Sequence, residues 1–193
     1  MRAITGDTPA TTGAFTLIEL LVVIAIIIIL AGLILSTAGY VQRKGARARA
    51  ETEIAAMSAA CESYKADNGI YPSNPDTSGL DARTVTDPSS YQLASLYLYE
   101  QLSGDTSATR QPPANAKSYF AFKPNMLLPA PPSTANVTAI RDPFGNSYGY
   151  STIANPTANP SPSPGVGYNP TFDLWSTANA NPASDQNQWI KNW

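Results

Sequence analysis

Residues 13–35 read GAFTLIELLVVIAIIIILAGLIL. From Leu20 to Leu35 the run carries no charge, and Phe15, Leu17 and Ile18 extend it on the N-terminal side. At about 1.5 Å per residue, a helix of this length crosses a bilayer. Ile24, Ile26, Ile27, Ile28 and Ile29 make its centre apolar all round, a composition suited to lipid or to a fully buried core. One ionisable group stands at the approach. Glu19 follows Phe15 by four residues, about 6 Å further along a helix. A carboxylate at mid-bilayer costs roughly 2.5–3.5 kcal/mol, and less near an edge, so Glu19 calls for a partner.

Three readings of the run compete. In the first it is a secretory signal peptide, cut after the small residues Ser36-Thr37-Ala38. Arg2 is then the only basic side chain of the n-region, and Glu19 interrupts the approach to the apolar stretch. In the second it is a plain signal anchor. Charge bias would then place the basic cluster Arg43, Lys44, Arg47 and Arg49 in the cytoplasm. In the third the chain is cut before Phe15 and copies assemble side by side, so that the new amine of one copy faces Glu19 of the next. Only the third reading supplies the carboxylate with a positive partner.

The helix should continue beyond the run, weakened at Gly39 and Gly45 by roughly 1 kcal/mol each relative to Ala. Residues 46–69, ARARAETEIAAMSAACESYKADNG, place Ile54, Met57, Cys61 and Tyr64 on one helical face. Arg47 and Glu51, and Arg49 and Glu53, stand in i,i+4 register. Such pairs serve either as ordinary surface ion pairs or as charge matching between copies. Asn68-Gly69, with Pro72 shortly after, predicts the helix end.

Composition narrows the function. The chain has 193 residues, enough for an anchor and one modest domain, and no histidine, which removes His-based acid–base catalysis and His-ligated metal. The single cysteine, Cys61, falls on the apolar helix face and reads as a buried small hydrophobe. A net charge of −2 offers no basic field for nucleic acid. Pro is frequent, and Asn, Ser and Thr crowd the second half, pointing to an exposed, loop-rich β-containing surface rather than a charged cytosolic enzyme surface.

In that half, SYQLASLYLYEQLSG (90–104) predicts a short helix with Leu93, Leu96, Leu98 and Leu102 at helical spacing. KSYFAFKP (117–124) alternates and predicts a strand over 118–123, and residues 124–137 predict a loop. Turn pairs Asp142-Pro143 and Gly145-Asn146 precede a strand near 147–153, and TFDLWSTAN (171–179) predicts another over 171–177.

The segment GAFTLIELLVVIAIIIILAG (13–32) resembles the N-terminal segment of type IV pilins and type II secretion pseudopilins. In that family a prepilin peptidase removes a short leader before a Phe, the new amine is usually methylated, and a Glu at the fifth mature position guides assembly. The resemblance makes Phe15 the first mature residue and Glu19 the fifth. Gly usually precedes the cut; here Ala14 does, with Gly13 one place back. A cut after Gly13 would make Glu19 the sixth residue, so the Phe-to-Glu spacing favours Ala14. The leader MRAITGDTPATTGA is also poor in positive charge for the family. YKADNGIYP (64–72) and DPFGNSY (142–148) resemble segments of major pseudopilins, as does Ile190-x-Asn192-Trp193; the family more often has Trp where Phe144 stands.

The resemblance also implies one calcium ion in a loop after a strand like FDLWS, held by acids shortly after the strand and just before Ile190. Here Ala180 falls near the first acidic position and Gln188 or Trp189 near the second. The oxygens on offer are Asn179, Asn181, Asp185 and backbone carbonyls, and only Asp185 is charged. The competing reading is a loop closed by Asn side-chain bonds and by packing of Trp175, Trp189 and Trp193.

The expected fold is α+β: a long N-terminal helix packed on a small antiparallel sheet with long loops. The expected divisions are a leader at 1–14, a membrane or filament-core helix at 15–38, its amphipathic continuation at 39–68 and a periplasmic globular part at 69–193. The resemblance implies an inner-membrane protein with its leader in the cytoplasm, later part of a periplasmic filament. It implies no enzymatic activity and no obligatory cofactor. Its partners would be copies of itself, a prepilin peptidase, minor pseudopilins and an inner-membrane assembly platform. A pilus or DNA-uptake subunit, and a membrane-anchored binding module, are the alternatives.

Overall fold

The structure, a computed structural model, describes residues 15–181 and 183–193, with backbone alone at 35–38. The leader, with Gly13 and Ala14, lies outside the described residues. The chain divides into two compact units, the first ending at Arg43 and the second running from Lys44 to Trp193.

Helix α1 covers Leu17–Asn68 and runs through Gly39 and Gly45 without a break. It stops where expected. Gly69 takes φ +78°, and its amide donates to the Lys65 carbonyl at 2.8 Å. The Asn68 side chain donates to the Tyr64 carbonyl at 2.8 Å, satisfying a second end-of-helix acceptor.

The second unit is built on the C-terminal part of α1. A single turn, α2 (Pro75–Ser78), is closed by a capping box between Asn74 and Thr77. A 3₁₀ turn at Pro88–Tyr91 leads into α3 (Gln92–Ser103). Strands β1 (Leu127–Leu128) and β2 (Ala139–Ile140) form one antiparallel pair. Strands β3 (Gly149–Ser151), β4 (Asp173–Ser176) and β5 (Ile190–Lys191) form an antiparallel sheet in that order. Ile54, Met57 and Cys61 of α1 share a core with Leu98 and Leu102 of α3 and with Ile140, Tyr150 and Leu174 of the strands. A second cluster gathers Leu80, Tyr91 and Ala94 around Trp175 and Trp189. The fold is thus mixed helix and antiparallel sheet with a long apolar N-terminal helix, as expected.

Two local expectations are corrected. Residues 118–123 form no strand, because the amides of Tyr119 and Phe120 both donate to one carbonyl, that of Leu102, at 2.7 and 3.0 Å. A shared acceptor bends the backbone away from a ladder. The alternating aromatics pack instead on one another, with Phe120 and Phe122 ring centroids 4.6 Å apart and Phe122 5.2 Å from Tyr99. The segment 124–137 is not all loop. It contains a 3₁₀ turn at Pro124–Met126 and then β1, whose flank is secured by Thr138 N donating to Leu128 O at 2.8 Å. The short helix expected over 90–104 is present as α3; Ala94, Ser95, Leu98, Tyr99 and Leu102 are among its buried residues, and Leu93 is 64% exposed.

Candidate functional site

The first unit carries a continuous apolar surface. Every large apolar side chain from Phe15 to Ile34 is exposed, from 48% at Val23 to 83% at Phe15. α1 is long and apolar enough to cross a membrane, with a mean hydropathy of 3.3 over its most apolar window. These two facts place the candidate site at residues 15–34.

Glu19 sits at the start of this surface in a reciprocal cap. Its Oε2 accepts from the Thr16 amide at 2.9 Å and from the Thr16 hydroxyl at 2.8 Å. The Glu19 amide donates back to Thr16 Oγ1 at 3.3 Å, and Thr16 O accepts the first helical bond from Leu20 N. Thr16 is therefore the N-cap and Glu19 the N3 residue of a capping box. Both carboxylate bonds go to Oε2, so Oε1 lies outside the box. The Thr-x-x-Glu spacing at 16–19 is the sequence signal of this capping box, a local role for Glu19 alongside the intermolecular one expected of it.

The second unit holds the motifs of 64–72 and 142–148 in place. Tyr64 and Tyr119 meet edge to face at 5.2 Å, and Asn68 Nδ2 donates to the Tyr119 hydroxyl at 3.1 Å. Tyr71 donates to Glu62 at 2.9 Å, and Pro72 O accepts from the buried Tyr150 hydroxyl at 2.9 Å. Asp142 is buried and organises its turn: Oδ1 accepts from the amides of Phe144 and Asn146 at 3.0 and 2.8 Å, and Oδ2 from Ser176. Burial raises the Asp142 carboxyl above its ordinary value, and these donors hold back part of that rise. Tyr148 reaches α1, donating to Glu53 Oε2 at 2.8 Å, while Arg49 Nε lies 2.7 Å from Glu53 Oε1. Arg47 and Glu51 also pair, at 3.6 Å.

Cys61 is fully buried, and burial pushes its thiol far above the ordinary range. It is an inert core residue rather than a nucleophile.

At the C-terminal loop, two of the three side chains that the resemblance would offer to calcium, Asn179 and Asp185, accept hydrogen bonds within the protein. Asn179, at φ 55°, accepts from Asn146 Nδ2 at 2.7 Å. Asp185 accepts from the Asn187 amide at 3.2 Å and from Gln188 Nε2 at 2.7 Å. Asn181 is exposed, and Ala180 is buried beside Trp175 and Trp189. No group of three or more His, Cys, Asp or Glu side chains that could hold a metal occurs among the described residues. A calcium ion takes roughly six to eight oxygens with carboxylates among them, and this loop offers a single carboxylate already held in its own turn, a poor match.

Aromatic packing closes the loop. Trp189 stacks on Trp175 at 6.1 Å, Trp193 stacks on Tyr168 at 4.5 Å, and the Trp189 indole donates to Ala183 O at 2.9 Å. Asn192 extends the sheet past β5: its amide donates to Leu174 O at 3.1 Å, and its Oδ1 accepts from Leu174 N at 2.9 Å.

No protein-family model, no curated protein and no solved structure matches the chain.

Proposed function

We propose that this chain is a structural subunit of a helical fibre of the type II secretion pseudopilus class. A prepilin peptidase would first process it in the inner membrane, and copies would then stack through residues 15–34. The observation that carries this reading is the exposure of every large apolar side chain from Phe15 to Ile34, with one carboxylate at the first turn. Full burial of a large apolar side chain is worth ~1.5–3 kcal/mol. The whole run therefore represents tens of kcal/mol, more than the ~5–15 kcal/mol by which a domain is stable. Such a surface needs lipid first and neighbouring helices afterwards. The resemblances at 64–72, 142–148 and 190–193 favour a secretion fibre over a surface pilus or DNA-uptake filament.

The test combines processing with assembly. Membrane-extracted protein should begin at Phe15, with or without one added methyl group, by N-terminal sequencing and intact mass. Single cysteines placed at Leu21, Ile24 and Ile28 should give a ladder of bismaleimide-linked oligomers, with the buried Cys61 left in place because it will not react. A start at Gly39 would mean signal-peptide removal and an exported soluble domain. An uncut chain that never crosslinks would be a plain anchor. A secretion assay set against imaging of surface fibres separates the pseudopilus from the pilus.

A further inference from the structure

Residues 184–189 turn tightly, with Gln186 N donating to Ser184 O at 2.9 Å and Gln188 N to Asp185 O at 3.1 Å. This turn leaves two successive carbonyls, those of Gln188 and Trp189, directed at one point. Like-oriented carbonyl dipoles repel unless a positive group lies between them. That group is Arg47 of α1: Nη1 donates to Gln188 O at 2.8 Å and Nη2 to Trp189 O at 3.3 Å. The planar guanidinium fork matches two adjacent acceptors as a point charge does not. Glu51, 3.6 Å from Arg47 Nε, balances the charge from the outer side. Three further bonds tie the same segment down: Gln186 Nε2 to Ala82 O at 3.0 Å, the Tyr168 hydroxyl to Gln186, and the Trp189 indole to Ala183 O at 2.9 Å.

The contacted carbonyls belong to the residues at which an acidic calcium ligand would be expected. We infer that Arg47 is the resident cation of the C-terminal loop: the guanidinium clamps residues 188–189 to α1, and the loop closes without calcium. This inference is independent of the filament reading, since it concerns contacts within the second unit alone.

The experiment uses the full chain in detergent. All three tryptophans, Trp175, Trp189 and Trp193, lie at this loop, so their fluorescence reports its melting. Melting midpoints are compared in 1 mM calcium chloride and in 1 mM EGTA for the wild type, Arg47→Gln and Arg47→Lys. We expect the same wild-type midpoint in both buffers. Arg47→Gln should melt lower by on the order of 5 °C, with no rescue by calcium, and Arg47→Lys should fall between. A calcium ion bound with a dissociation constant 100-fold below the added concentration would instead raise the wild-type midpoint by on the order of 5–10 °C, which would overturn the inference. An Arg47→Gln midpoint equal to that of the wild type would overturn it as well. If Arg47→Gln shows no cooperative transition, an intermediate Arg47→Lys midpoint that calcium leaves unchanged supports the clamp, and one that calcium raises refutes it.

Discussion

Gly149 lies directly against the indole of Trp175. The two residues face each other across the β3–β4 ladder, and a Cβ built on Gly149 would sit 2.1 Å from the Trp175 ring. Trp175 is fully buried, with Tyr91, Trp189 and Trp193 around it, so the ring cannot step aside. Gly149→Ala should destabilise the second unit at or above the upper end of the ~1–3 kcal/mol range for overpacking. The check is tryptophan-monitored melting of the full chain in detergent. A midpoint within 1 °C of wild type would show that the ring has room to move.

Glu53 joins α1 to the turn before β3. Its side chain is 11% exposed and takes bonds from both Arg49 and Tyr148. Tyr148→Phe removes one donor from a nearly buried carboxylate and should lower stability by about 1–3 kcal/mol. The loss should shrink in a Glu53→Ala background, where no acceptor remains for the Tyr148 hydroxyl. A double-mutant cycle measures this; strictly additive losses would mean that the 2.8 Å bond contributes nothing of its own.

Asp142 gives a pH dependence with a definite sign. Burial raises its carboxyl in the folded state, so the folded chain takes up a proton before the unfolded chain does. The stabilisation from this group is complete below the unfolded value of ~3.9 and fades as pH rises through the folded value. Asp173 shifts the same way through burial and must be kept constant. The midpoint difference, wild type minus Asp142→Asn, should therefore grow as pH falls from about 7 toward about 4.5. A difference that stays flat across that range would remove Asp142 as its source.

The parts of the fold legible in the sequence were those with a long period or a strong stop. The apolar run, the 54–57–61 face and Asn68-Gly69 define most of α1, and the strands near 147–153 and 171–177 are present as β3 and β4. Strands β1, β2 and β5 are two residues each, too short to show alternation. Residues 118–123 did alternate, but their amides went to Leu102 O, a tertiary contact that no local pattern records. The same holds for Arg47, whose partners lie 141 and 142 residues away. Of the candidate site, the apolar run and Glu19 could be read directly. The processing residues Gly13 and Ala14 fall outside the described residues.

The two roles open to Glu19 can be separated by substitution. As N3 of a capping box it needs an acceptor for the Thr16 amide, which a glutamine also supplies. As partner of a free amine on a neighbouring copy it needs its charge. If the filament reading holds, Glu19→Gln should be cut before Phe15 normally yet lose fibre assembly at least tenfold, as should Glu19→Ala. Thr16→Ala removes the cap at a cost of about 1 kcal/mol at the helix start but leaves the charge, so fibres should still form. Blotting of sheared fibre fractions, with N-terminal sequencing of each variant, reads both steps. Normal assembly by Glu19→Gln together with failure of Thr16→Ala would reduce Glu19 to a helix cap and remove the amine pairing from the mechanism.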